Sequence, residues 1–281
     1  MNSVLAIDQR VDADFPVREI AAEGCIFTYR TNGEGPMLVL LHGIGSGSGS
    51  WFHQLHDLAD RFRMVAWDAP GYGRTTPLAP ETPDASDYAS ALQLFLSALD
   101  IRPDVLLGHS LGAMMAGRYA TSFKPPTRAL ILADPANGYG EADAETRSQK
   151  MNARLKMVDE LGPEGMAASR SSNLLSADAS DEAMALVRWN MGQIHPEGYR
   201  QATRMLAHGH LMGDATKYDG PVLVMGGSED KVTPEDGCRA VAAAFRNAEY
   251  RTLPGVGHAS YVENGKQFND MVIGYLESLD G

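Results

Sequence analysis

Five short stretches of this chain are apolar at every position: Met37–Leu41, Met64–Trp67, Val105–Leu107, Ala129–Ala133 and Val222–Met225. Each is bounded by Gly, Pro, Asp or Asn, the signature of a strand buried on both faces of a parallel sheet. Residues 17–30 alternate more weakly before the turn Thr31-Asn32-Gly33-Glu34-Gly35-Pro36, which predicts an opening hairpin. Between the apolar runs the period changes. From Asp84 to Leu99 the apolar residues Tyr88, Ala91, Leu92, Phe95, Leu96 and Leu99 recur at helical spacing, with Asp84 or Ser86 as the cap. Segments 51–62, 111–123, 235–245 and 266–279 are further helices, and Tyr250–Leu253 a further strand. Strands alternating with helices at this spacing predict crossover connections and an α/β fold with a mostly parallel sheet.

The rhythm breaks between Pro135 and Gly213, where strand-like runs disappear and helical patterns rich in Met, Arg, Glu and Gln replace them. The expected organisation is a core formed by residues 1–135 and 214–281, with 136–213 inserted as a helical lid.

Composition narrows the function. With 281 residues, 44% hydrophobic and 21% charged, the chain can bury a full core unaided. Its net charge of −12 repels phosphate backbones and anionic surfaces, which argues against nucleic acid and membrane partners. No apolar run approaches membrane-spanning length, and the acidic first thirty residues lack a secretory pattern, so a cytoplasmic protein is expected. Two cysteines far apart, Cys25 and Cys238, suggest neither a disulfide scaffold nor a metal site.

The run Val105–Leu107 ends in Gly108-His109-Ser110-Leu111-Gly112 and continues as a helix. A strand that turns sharply into a helix leaves the serine hydroxyl exposed at the turn, flanked by glycines that let the chain approach closely. Such a hydroxyl attacks a carbonyl when a base stands beside it. The glycine-rich stretch His42–Ser50 follows another buried strand. It lacks the Gly-Lys-Ser/Thr ending of a phosphate loop, and its glycines instead allow backbone N–H groups to approach a substrate oxygen.

A serine nucleophile requires an imidazole and a carboxylate on loops following later strands. Asp230 lies after the strand 222–225 and His258 after the strand ending at Leu253. Asp230 also reads as a turn or helix-cap residue, and Glu229 and Asp134 are rivals for the acid role. Among the other histidines, His53 and His56 fall in a helix and His195, His208 and His210 in the insertion. His42 and His109 flank glycines, where structural hydrogen bonding is expected of them.

On these residues the chain resembles the α/β-hydrolase superfamily over nearly its whole length. Gly108-x-Ser110-x-Gly112 resembles the nucleophile elbow, His42-Gly43 the oxyanion loop, and Asp68-x-Pro70-Gly71-x-Gly73 a structural loop. Asp230 resembles the acid, and His258 the base. The resemblance implies an eight-stranded, mostly parallel sheet flanked by helices, with a helical cap after strand 6. It also implies oxyanion donors at the backbone N–H of Ile44 and Leu111, Gly45 being the alternative to Ile44, and a reaction without metal or organic cofactor. The expected substrate is a small carbonyl compound, a carboxylic ester or lactone first. Cleavage of a carbon–carbon bond in a ring-fission product is the alternative, set second because relatives of that kind carry Pro-Gly-Ala in the loop and Trp after the His. This chain has Ser46-Gly47-Ser48 and Ala259 instead. Cofactor-free haloperoxidase chemistry and a non-catalytic small-molecule receptor complete the alternatives. Met114, Tyr139, Arg188, Trp189 and Tyr261 are the candidate pocket residues.

Overall fold

A computed structural model of the chain describes residues 6–280. In chain order the elements are α1 (Ile7–Asp14), β1 (Arg18–Ala22), β2 (Cys25–Asn32), β3 (Met37–Leu41), α2 (Phe52–Asp57), β4 (Arg63–Trp67), α3 (Ala85–Ala98), β5 (Val105–His109), α4 (Leu111–Phe123) and β6 (Ala129–Ala133). Four helices follow: α5 (Ala144–Arg170), α6 (Asp181–Gly192), α7 (Pro196–His208) and α8 (Leu211–Ala215). The chain closes with β7 (Val222–Gly227), α9 (Glu235–Ala244), β8 (Ala248–Leu253), α10 (Ser260–Glu263) and α11 (Gly265–Ser278).

One sheet contains all eight strands in the order β1-β2-β4-β3-β5-β6-β7-β8. Strand β2 runs antiparallel to both neighbours, and the pairs from β4 through β8 are parallel. The opening hairpin forms within 17–32 as β1–β2 and turns at Glu23-Gly24, while the turn 31–36 leads on to β3, which does not pair with β2. The all-apolar runs β3, β5, β6 and β7 are central strands of the sheet, buried on both sides. Alternate residues of these strands serve opposite faces. Val39, Leu41, Leu106, Leu130 and Val224 pack with Phe95 of α3, Tyr119 of α4 and Val241 of α9. Leu38, Leu40, Leu107, Ile131 and Met225 pack with Val11 of α1, Leu55 of α2 and Val272 of α11. Asp84 caps α3 by accepting from the Ser86 and Asp87 N–H groups, and Asp87 returns the bond to Asp84.

Helix α1 is an element the sequence pattern did not announce. Only Ile7 and Val11 are buried on it, too few apolar positions to set a period. It is held by buried Arg30, which donates to the carbonyls of Val11 and Phe15 and pairs with Asp12 at 2.7 Å. The segment 51–62 is helical only as far as Asp57, and β8 begins two residues earlier than Tyr250.

Helices α5–α7, between β6 and β7, form the cap, and α8 packs on α4 and α9 of the core. Helix α5 is not straight: Gly162 has φ 61° and ψ 179°, and Pro163 follows, so the rod breaks in two. Among the described residues no helix is long and apolar enough to cross a membrane.

Candidate active site

Register aligns Leu41 with Gly108 and Gly108 with Leu132 across β3, β5 and β6. Loops leaving these strands, together with those after β7 and β8, therefore emerge along one edge of the sheet. Ser110 occupies the turn between β5 and α4 at φ 52° and ψ −114°, a left-handed conformation that a side-chain-bearing residue adopts only under constraint. The constraint is close packing on both sides. A Cβ on Gly108 would overlap the Gly112 carbonyl, and one on Gly112 would overlap the Leu41 carbonyl. The Ser110 N–H donates to the Ala133 carbonyl at 2.9 Å, which pins the turn to β6.

His258 Nε2 lies 3.0 Å from Ser110 Oγ, and His258 Nδ1 lies 2.8 Å from Asp230 Oδ2. The remaining acceptors of Asp230 are filled locally. Its Oδ1 takes the N–H groups of Val232 (2.6 Å) and Thr233 (3.0 Å), and its Oδ2 takes the Thr233 hydroxyl at 2.7 Å. A carboxylate facing Nδ1 places the ring proton there and leaves Nε2 as acceptor for the serine hydroxyl. Burial disfavours charge on Asp230, but hydrogen bonds from His258 and Thr233 outweigh it and hold the carboxyl down at about 2. Burial likewise opposes protonation of His258, and the Asp230 carboxylate outweighs it, so the imidazole sits above its ordinary 6.5.

The two rival acids stand elsewhere. Glu229 is exposed. Asp134 is fully buried, and burial together with the nearby Asp230 charge raises it to about 7. It accepts from Gly227 N–H at 2.8 Å and from the Ser260 hydroxyl at 2.5 Å, tying β6 to β7 and α10. His109 donates from Nε2 to the His258 carbonyl at 2.8 Å, and burial lowers it to about 3, so it is a neutral brace. His42 bonds through Nδ1 to the Gly43 carbonyl at 2.8 Å and accepts the Ala69 N–H at 3.0 Å. It thereby orients the peptide that carries the Ile44 N–H. Tyr72 donates to the Ile44 carbonyl at 2.8 Å, fixing the next peptide.

Ile44 and Leu111 line a cavity of about 490 Å³ together with Ser110 and His258. Leu111 opens α4, and the first amides of a helix have no partner within it. The loop carrying His258 is also joined to the cap. The Ala259 N–H donates to the Leu174 carbonyl at 2.7 Å, while Glu263 takes the N–H groups of Ser176 (3.0 Å) and Gly257 (2.9 Å) and the Ser176 hydroxyl.

Of the candidate pocket residues, Tyr139 and Tyr261 line this cavity. Three others do not. Met114 is buried beneath Gly138 and Gly209. Trp189 packs on Gly49, with its ring 6.0 Å from the Arg30 guanidinium carbon, outside the cavity. Arg188 is exposed and lies off the cavity lining. The cations that do line it are Lys150, Arg154 and Arg170, with the phenol of Tyr199 among them. Lys150, Arg154 and Met157 recur at one-turn spacing on α5, which puts them on one face of the helix without showing from sequence that this face turns inward. Among the described residues, no group of three or more His, Cys, Asp or Glu side chains is placed to hold a metal ion.

Known proteins share this architecture. A thermophilic esterase from Thermogutta terrifontis superposes with a TM-score of 0.83 at 20% identity, covering 94% of this chain and 98% of that one. The enol-lactonase from Burkholderia xenovorans LB400 gives 0.82 at 22% identity, covering 92% and 100%. Pyrrolizixenacetamide deacetylase from Xenorhabdus hominickii is 24% identical over 262 residues, 90% of this chain and 95% of the relative. The family model described as the alpha/beta hydrolase fold matches residues 36–265, and the chain belongs to that family.

Proposed function

We propose that this protein is a serine hydrolase that cleaves a small carboxylic ester or lactone through an acyl-enzyme. The observation that carries the reading is the unbroken relay from Ser110 Oγ to His258 Nε2 (3.0 Å) and from His258 Nδ1 to Asp230 Oδ2 (2.8 Å), opening on a cavity under the cap. His258 takes the hydroxyl proton as Ser110 Oγ bonds to the substrate carbonyl carbon, and Asp230 stabilises the resulting imidazolium. The N–H groups of Leu111 and Ile44 hold the oxyanion, and losing one such donor costs about 10²–10³ in turnover. The tetrahedral intermediate expels the alkoxide, which takes the proton from His258. Water then attacks the ester on Ser110 with His258 again as base, releasing the acid and restoring the serine. Three similar proteins, named as an esterase, an enol-lactonase and a deacetylase, all pass an acyl group to water, which supports the same reaction class here.

The test is turnover of p-nitrophenyl butyrate by the wild type and by Ser110→Ala, with covalent labelling by a fluorophosphonate alongside. Turnover and labelling that both vanish in Ser110→Ala are expected. Turnover indifferent to the substitution, or none with a set of short esters and lactones, sinks the proposal and favours a receptor.

A further inference from the structure

The kink in α5 decides which charges meet over Ser110. In a straight helix Arg154 and Arg170, sixteen residues apart, would be separated by about 24 Å along the axis. The helix is broken at Gly162–Pro163, and both side chains line the one cavity. Tyr199 lines the same cavity as both arginines, and their charges partly offset the upward push that burial gives its phenol pKa. Lys150 lies one turn before Arg154 on the same lining.

The charge balance there is the reverse of the molecule's. The protein has 36 acidic and 24 basic residues, yet the cavity lining has three cations and neither Asp nor Glu. Three cap cations off the lining are neutralised, Arg200 by Asp159 at 2.6 Å, Arg204 by Glu81 at 3.0 Å and Lys156 by Glu160 at 3.7 Å, whereas Arg147 and Arg188, also off it, have no carboxylate within 4.0 Å among the described residues. Among the described residues no carboxylate lies within 4.0 Å of Lys150, Arg154 or Arg170. Arg154 instead rests over the Tyr139 ring, its carbon 5.8 Å from the centroid, a contact that holds the side chain and leaves its N–H groups free to donate. The lining between these donors and Ser110 is largely apolar, with Met157, Met166, Leu174 and Leu206.

Resting on the hydrolase reading above, we propose that the natural substrate carries a carboxylate remote from its scissile carbonyl, received by Arg154 and Arg170 with the Tyr199 hydroxyl, while Lys150 draws it to the mouth. The forked guanidinium groups match the two oxygens of a carboxylate, and the apolar lining accepts a short hydrocarbon spacer between the two ends.

The experiment compares p-nitrophenyl butyrate with the p-nitrophenyl half-ester of glutaric acid, which differs by the terminal carboxylate. For the wild type, kcat/KM is expected to be higher for the half-ester, with the preference shrinking as NaCl is raised. In Arg154→Ala the ratio of the two kcat/KM values should fall about tenfold to a hundredfold, the range of a charge-assisted hydrogen bond, and in Arg170→Ala, whose side chain is exposed and screened by solvent, about twofold to fivefold, chiefly through KM for the half-ester. Arg170→Lys should recover part of it. Calorimetric binding of glutarate and butyrate to Ser110→Ala gives a readout free of catalysis: glutarate binds more tightly, and loses most of that advantage when Arg154 is removed and part of it when Arg170 is. Equal kcat/KM values for the two esters with equal calorimetric affinities, or Arg variants that affect both acids alike, overturn the proposal. Preferential glutarate binding without Ser110-dependent turnover would sustain the anion site while sinking the hydrolase reading.

Discussion

Replacing Asp230 by Asn tests the relay at its least visible member. Oδ1 of Asp230 receives two backbone N–H groups, from Val232 and Thr233, so an asparagine must keep its carbonyl oxygen there. Its NH₂ group then occupies the Oδ2 position, 2.8 Å from His258 Nδ1. A donor in that place requires Nδ1 to be unprotonated, and the neutral ring carries its proton on Nε2, facing Ser110. The hydroxyl loses its acceptor. The same swap in a Ser–His–Asp triad lowers turnover about 10⁴-fold, equivalent to about 5 kcal/mol of barrier. The assay is kcat/KM for p-nitrophenyl butyrate, with thermal unfolding followed in parallel from pH 2 to 7. Because the folded Asp230 carboxyl is held at about 2 against an ordinary 3.8, its ionised form contributes about 2 kcal/mol of stability. That contribution is complete above about pH 4 and is lost as pH falls toward 2. Asp230→Asn should therefore flatten the acid limb of the stability curve as well as suppress turnover. A variant retaining more than a tenth of kcat/KM refutes the reasoning, and a collapse on Asp134→Asn instead would transfer the acid role to Asp134.

Two further outcomes follow from the same geometry. Because His258 must be neutral to accept the serine proton and its pKa is raised by Asp230, kcat/KM should climb with pH through a midpoint above 6.5. A plateau already reached at pH 6 contradicts this. Gly162→Ala meets no atom within 4 Å, so its cost is purely that of φ 61° and ψ 179°, about 1–3 kcal/mol. A fall in Tm of several degrees is expected, with a reduced preference for the anionic half-ester; an unchanged Tm contradicts the strain argument.

The sheet was legible because its central strands are buried on both faces and leave uninterrupted apolar runs, as in Met37–Leu41 and Ala129–Ala133. Ser110 and Asp230 stood out as candidates for a related reason, since each follows such a strand, whereas His258 follows the half-exposed edge strand β8; parallel strands bring all three following loops to one edge. Helices α1 and α10 escaped because two anchors on one and four residues on the other set no period. The cavity wall escaped for another cause. Which face a cap helix turns inward depends on its packing against other helices and, for α5, on one dihedral at Gly162. Met114 and Trp189 therefore have the composition of pocket residues without the position, and Arg188 is exposed off the lining while Arg154 and Arg170 are on it.

The bonds joining the cap to the loop of His258 limit which motions of the cap leave the imidazole in place. A cap swinging outward as one rigid piece would pull Leu174 from the peptide next to His258 and strip Glu263 of Ser176. The imidazole would be levered out of line at the moment of admission. The seam at 174–176 is thus a fixed jamb rather than a door, and the exposed Lys150 and Arg170 stand on the cavity lining away from it.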